Sequence, residues 1–114
     1  MPQLIIHSEN DGRARVKAEL VKSLRACMVE TLALREDQGQ VLLYETLPIY
    51  RAMSEDRKGL IFIEIKMIEG RSDVMKKALT DGIIEIVSKD MGIEKKCVMC
   101  LFDEYAANAY VAGK

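Results

Sequence analysis

The same short pattern occurs twice in this chain, and that repetition constrains the fold more than any other feature. Sliding the sequence along itself until Gly12-Arg13 meets Gly70-Arg71 also brings Val16 onto Val74, Val21 onto Leu79, and Tyr44-Glu45 onto Phe102-Asp103. Identity between the halves is faint, but the hydropathy pattern is coherent, as expected of a duplicated unit. At 114 residues the chain can build one core but not two, so a single domain over 1–114 is expected. Repeat one would cover about 2–58 and repeat two about 60–114.

Each half reads as strand, helix, strand. Gln3 to His7 is a short β-prone run. From Ala14 to Leu34, Val16, Leu20, Val21, Leu24, Cys27, Met28 and Leu32 recur at helical spacing, with Lys17, Glu19, Lys22, Arg25 and Glu30 among the polar positions. Gln40 to Leu47 is the next strand, and Pro48 with the charged run from Ser54 to Gly59 predicts a loop. In Leu60 to Ile68 the odd positions Ile61, Ile63, Ile65 and Met67 are all apolar, while the even positions include Glu64 and Lys66. That alternation is the signature of a half-buried strand.

The second helix is predicted over Ser72 to Met91, with Ser72 as N-cap, Asp73 in the first turn and Gly92 as the stop. Its buried stripe would be Val74, Ala78, Leu79, Ile83, Ile86 and Val87. Cys97 to Phe102 is a last apolar strand, followed by a tail from Asp103 to Lys114. The expected architecture is α+β: two β-α-β repeats forming a four-stranded mixed sheet with two helices on one face. Strands within each unit should run parallel, joined by a helical crossover. Two helices cover only one face of such a sheet. The uncovered apolar face predicts self-association.

Composition narrows the function classes. Net charge is −1, with Lys and Arg spread along the chain, so no basic stripe awaits nucleic acid. The longest apolar stretch, Leu60 to Ile68, is too short to span a bilayer, and the N-terminus lacks a signal-peptide pattern. A cytoplasmic location is the expectation. The cysteines Cys27, Cys97 and Cys100 are an odd count and are expected as reduced thiols. Cys97-x-x-Cys100 has no second pair, and His7 is distant in sequence, so buried strand cysteines are expected rather than a metal site.

The stretch Ile63 to Asp73, Ile-Glu-Ile-Lys-Met-Ile-Glu-Gly-Arg-Ser-Asp, resembles the opening of the 4-oxalocrotonate tautomerase family. The doubled unit resembles the fused members of that superfamily, 5-carboxymethyl-2-hydroxymuconate isomerase and the macrophage migration inhibitory factor group. The segment Phe102 to Asn108 is similar to the inhibitory factor's closing segment. The resemblance implies a homotrimer with sheets packed around a threefold axis, a small carboxylate substrate, and keto-enol isomerisation needing no cofactor or metal.

It also implies the site residues. Once Met1 is removed, Pro2 presents a secondary amine, and an α-amino group titrates near pH 7.7 to 8.0 in model peptides. Burial and nearby cations lower that value, leaving a neutral amine able to move a proton next to a carbonyl. The second repeat carries Leu60 opposite Pro2, or Ile61 with a one-residue gap, so one kind of site per subunit is expected. Arg71, at the start of the second helix, would grip a substrate carboxylate or steady the enolate. Arg13 would be its structural counterpart.

The family's second arginine is absent. Gln40 stands nearest its place and Arg35 just before it, and either is a candidate replacement. The inhibitory factor's polar groups in the last strand fall on Val98 and Cys100, which favours a monoacid or an uncharged enol. Lys66 is a substrate-binding candidate or one half of a salt bridge between protomers, and Tyr105, Asn108 and Tyr110 are candidate pocket walls. Two other readings compete: a non-catalytic trimeric binding or signalling module, and an unrelated ferredoxin-like oligomer with the same element order.

Overall fold

A computed structural model describes residues 2–47 and 60–113 of the chain. Met1, Lys114, Pro48 and the charged run from Ser54 to Gly59, expected as part of a loop, lie outside the described residues. The elements are β1 (Gln3–Glu9), α1 (Ala14–Leu32), β2 (Gln40–Thr46), β3 (Ile61–Ile68), α2 (Asp73–Met91) and β4 (Val98–Tyr105). They form one sheet in the order β2-β1-β3-β4. β1 and β2 are parallel, β3 and β4 are parallel, and β1 and β3 are antiparallel, as the doubled β-α-β pattern requires.

Alternation along the two central strands creates the core. Leu4 and Ile6 of β1 and Ile61, Ile63, Ile65 and Met67 of β3 turn to one side and are buried. Against them pack Leu20, Leu24, Met28 and Leu32 of α1 and Leu79, Ile83, Val87 and Met91 of α2, one from each successive turn. Each such side chain contributes about 1.5–3 kcal/mol when fully buried. The helices also touch each other closely: a Cβ on Gly82 would stand 2.8 Å from Cys27 Sγ. Glycine there lets the two helices meet.

Element ends depart from the sequence reading where pairing decides them. β1 runs past His7 because Ser8 and Glu9 still find partners in β2. Asp103, Glu104 and Tyr105, expected in the tail, continue β4 because they pair with Lys66, Met67 and Ile68. α1 ends at Leu32 rather than Leu34, since Ala33 turns left-handed at φ 52°. The buried stripes are narrower than predicted: Val74 is 81% exposed, and Ala78 faces solvent. Cys97 is buried in a turn of 3-10 helix ahead of β4, so Cys97 and Cys100 do not share a strand.

The largest departure is Lys17. Placed on the polar face by its charge, it is 4% exposed. Its ammonium donates to the Glu9 carbonyl at 2.7 Å and lies 2.9 Å from both Asp11 and Glu45. Burial alone would lower its pKa, but Asp11 and Glu45 outweigh burial and hold it above the usual lysine value. The hydrogen bond from Lys17, helped by two from Arg13, keeps the Asp11 carboxyl well below the usual carboxylate range.

The structural repeat is one position longer than the two Gly-Arg pairs imply. In that longer frame α2 matches α1 end for end, and Phe62 opposite Met99 repeats Gln3 opposite Gln40. Ile61 then takes the place of Pro2, and the Gly-Arg pairs fall out of step by one. Arg13 is the N-cap of α1, whereas Arg71 precedes the N-cap Ser72 of α2.

Lys17→Met should lower stability by about 1–3 kcal/mol, because it strands a carbonyl and two half-buried carboxylates. Denaturant unfolding measures this. Asp11 has a folded pKa below its ordinary 3.8, so its contribution is complete above about pH 4 and is lost as pH falls further. The wild type should therefore lose more stability than Lys17→Met between pH 4 and pH 2.

Candidate active site

The antiparallel pairing of β1 with β3 decides where the candidate residues meet. Gln3 lies opposite Lys66, which puts Pro2 beside Met67 at the end of β3. Pro2 is buried on the helix-facing side of the sheet, in phase with Leu4 and Ile6. The Gln40 N–H donates to the Pro2 carbonyl at 3.1 Å, tying the start of β2 to the start of β1. On the other side the Glu69 N–H donates to the Tyr105 carbonyl at 2.9 Å, holding the ends of β3 and β4 together.

Beyond β3 the chain turns into α2 through Glu69-Gly70-Arg71-Ser72. Gly70 has φ +116°, a conformation strained for any residue with a Cβ. Ser72 then caps the helix, its hydroxyl accepting the Met75 N–H at 3.2 Å. The turn and Leu32, at the end of α1, border an open groove of about 630 Å³ lined by Leu32, Ile68, Glu69, Gly70, Arg71, Ser72 and Met75.

Arg71 is the charged group with capacity to spare in this groove. Among the described residues its guanidinium has no hydrogen-bond or ion-pair partner. Its charge reaches Tyr105, whose phenol is pushed up by burial and by Tyr110 while Arg71 pulls the other way. Tyr105 and Tyr110 stack with ring centroids 6.3 Å apart.

Arg13 behaves differently. Its guanidinium donates to Asp11 and to the Met91 carbonyl, both at 2.9 Å. A smaller hollow of about 230 Å³ at that end is lined by Ser8, Glu9, Asp11, Arg13, Leu60, Ile61 and Met91. The first-repeat hollow thus has a tethered arginine and apolar Leu60 and Ile61. The second-repeat groove has an untethered arginine at the Pro2 end of the sheet.

The remaining candidates are occupied elsewhere. Arg35, in the turn before β2, is an exposed partner of Asp37 at 3.2 Å. The Gln40 side chain accepts from the Gln3 amide at 2.9 Å. Lys66 points to the sheet face away from the helices and meets Asp103 of β4 at 2.9 Å, within one protomer. The structure therefore brings Pro2, Gln40 and Arg71 to one end of the sheet, and of the five candidates only Arg71 lines the groove.

Cys100 faces the helices, and burial pushes its thiol up to about 11, so it is not a thiolate near neutral pH. His7 lies on the open face, 2.8 Å from Glu64 and packed against Tyr44 and Phe62. Among the described residues no three His, Cys, Asp or Glu side chains are grouped to hold a metal, and no helix is long and apolar enough to cross a membrane. Sequence reasoning missed Lys76 and Glu104, which meet at 2.5 Å beside Met67. The signal was present in Lys17 and Glu45, which hold the equivalent positions of repeat one in the longer frame.

Comparison with known proteins bears on the family and the fold. The family model described as "Tautomerase enzyme" matches residues 62–114, the whole of repeat two from β3 onward. A probable tautomerase of Bacillus cereus is 31% identical over 52 residues, which cover 46% of this chain and 85% of that one. An asymmetric trimer of a fused 4-OT superposes with TM-score 0.87 at 19% identity, covering 97% of this chain and 92% of that chain. Macrophage migration inhibitory factor of Toxoplasma gondii superposes with TM-score 0.83 at 13% identity, covering 97% and 96%. The four-stranded mixed sheet with two helices on one face is thus the fold of these proteins. With a relative above 30% identity matched over most of its length, the chain belongs to the tautomerase family of enzymes.

Proposed function

We propose that this protein interconverts keto and enol (or unsaturated) isomers of a small carboxylic acid, with the Pro2 amine as general base after loss of Met1. The observation that carries the proposal is the contrast between the two Gly-Arg turns. Arg13 is fastened to Asp11 and Met91, whereas Arg71 has no partner among the described residues and lies at the end of the sheet where Pro2 starts. A guanidinium left without a carboxylate at a groove is suited to receive one from a ligand.

The chemistry follows from the positions. Arg71 would hold the substrate carboxylate, and the N–H groups at the start of α2 add a field that favours negative charge there. The Pro2 nitrogen is a secondary amine, stiff in its ring and buried among apolar side chains, which disfavours its charged form. As the neutral amine it takes a proton from the carbon beside the carbonyl. The enolate carries the resulting charge toward Arg71, and the prolinium returns the proton at the other end of the conjugated system. Arg35 and Gln40 engage Asp37 and Gln3, which favours a monocarboxylate over a dicarboxylate.

The assembly we infer is a homotrimer. The sheet face opposite the helices presents Ile5, Leu42, Tyr44, Phe62, Met99 and Leu101, with Tyr44 and Leu101 more than half exposed. An apolar face of this kind is normally covered. The fused 4-OT to which the chain is similar is a trimer.

Three measurements test the reading. Pro2→Ala should reduce phenylpyruvate enol-keto turnover by roughly 100-fold or more, the usual weight of a positioned general base. An intact mass of the natively produced protein should show Met1 removed. Turnover indifferent to Pro2 would leave a trimeric binding module instead. Arg71→Gln should lower kcat/KM about 10- to 100-fold through loss of a charge-assisted pair, whereas Arg35→Gln should change it little.

A further inference from the structure

One helix-to-strand ion pair occurs twice in this fold at equivalent places. Lys17, fourth residue of α1, meets Glu45 of β2, and Lys76, fourth residue of α2, meets Glu104 of β4 at 2.5 Å. The first pair belongs to the structural knot at the far ends of β1 and β2, where Lys17 also holds Asp11 and the Glu9 carbonyl. The second pair has a different neighbour. Glu104 is in register with Met67, and Met67 lies beside Pro2.

Pro2, Met67 and Glu104 all project to the helix side of the sheet, and Met67 between them is wholly buried. Two strand spacings, about 10 Å, separate the outer two. The pair itself is largely shielded, with Lys76 21% and Glu104 26% exposed, and the Lys76 ammonium also lies 5.7 Å from the Phe102 ring centre. Fixed charges at that range, across a buried side chain, are only partly screened.

We propose that Lys76 and Glu104 are positioning residues of the active site, a balanced pair in which each charge cancels the other's pull on the proton affinity of the Pro2 amine. The proposal rests on Pro2 acting as the base. Lys76 disfavours the prolinium and Glu104 favours it. Held together they nearly cancel, which leaves burial, Arg71 and Arg25 to set the value. Glu69 and Asp73 are the other charged groups on the turn and the first turn of α2. Both are exposed, and Asp73, 3.7 Å from Lys76, lies in open solvent. From α1 come Leu32 and the Arg25 guanidinium, which donates to the Gly39 carbonyl at 3.1 Å, level with Pro2; the variants below leave both untouched.

Removing one partner uncovers the other, so the two variants must move Pro2 in opposite directions. The chain has two prolines, so 15N-proline labelling gives two nitrogen resonances, and Pro2→Ala identifies which is Pro2. Glu104→Gln should lower the Pro2 pKa, and Lys76→Met should raise it, each by roughly 0.3 to 1 pH unit. The acidic limb of the kcat/KM profile should shift in step. Lys17→Met removes the equivalent charge at the remote pair and should leave the Pro2 titration unchanged. Lys76→Gln serves as a second neutral variant if Lys76→Met fails to fold. Shifts in the same direction, or none, overturn the proposal while the base reading stands. A Pro2 nitrogen that does not titrate in the wild type overturns both.

Discussion

Everything in this fold depends on the antiparallel pairing of the two central strands. β1 and β3 join the repeats, and their apolar alternation gives Leu4, Ile6, Ile61, Ile63, Ile65 and Met67 to a common buried layer. A one-residue slip in this pairing would turn those side chains to the wrong face and remove the floor on which both helices rest. The same pairing is head to tail. It therefore sets the start of β1 against the end of β3, which is why Pro2 and Arg71, from opposite halves of the sequence, reach one end of the sheet.

Duplication produces two equivalent ends, and the residues at each have diverged toward different tasks. At one end Asp11, Lys17, Arg13 and Glu45 close on one another, and Arg13 satisfies the carbonyl of Met91 at the end of α2. The buried Lys17 ammonium is held in place because the carboxylates and the carbonyl around it replace the water it has lost. At the other end Lys76 meets Glu104, an imino acid starts a strand, and an arginine without a partner among the described residues faces a groove. A rigid end and a receptive end are built from one unit, and the helix-to-strand Lys-Glu pair common to both shows the shared origin.

The open face of the sheet carries its own logic. His7 meets Glu64 and Lys66 meets Asp103 across neighbouring strands, so the polar groups of this face find partners within one protomer. Between them lie Ile5, Leu42, Phe62 and Met99. A polar group already bonded to a neighbour costs less to cover than one left alone.

Strand-helix-strand order, its duplication, the cap at Ser72 and the stop at Gly92 were legible in the sequence, because periodicity and capping are local properties of consecutive residues. So was the local geometry of the Glu69-Gly70-Arg71-Ser72 turn, since φ at Gly70 and the cap at Ser72 follow from residue type. The ends of β1 and β4 were not legible, because Ser8, Glu9 and residues 103–105 are strand only through partners far along the chain. Nor was the burial of Lys17, which requires Asp11, Glu45 and a free carbonyl to converge from three segments. By itself the sequence determined the order of the elements and which side of each central strand is apolar. Only the tertiary structure decided that Arg13 is tied and Arg71 untied, because a side chain's freedom depends on what long-range packing places beside it.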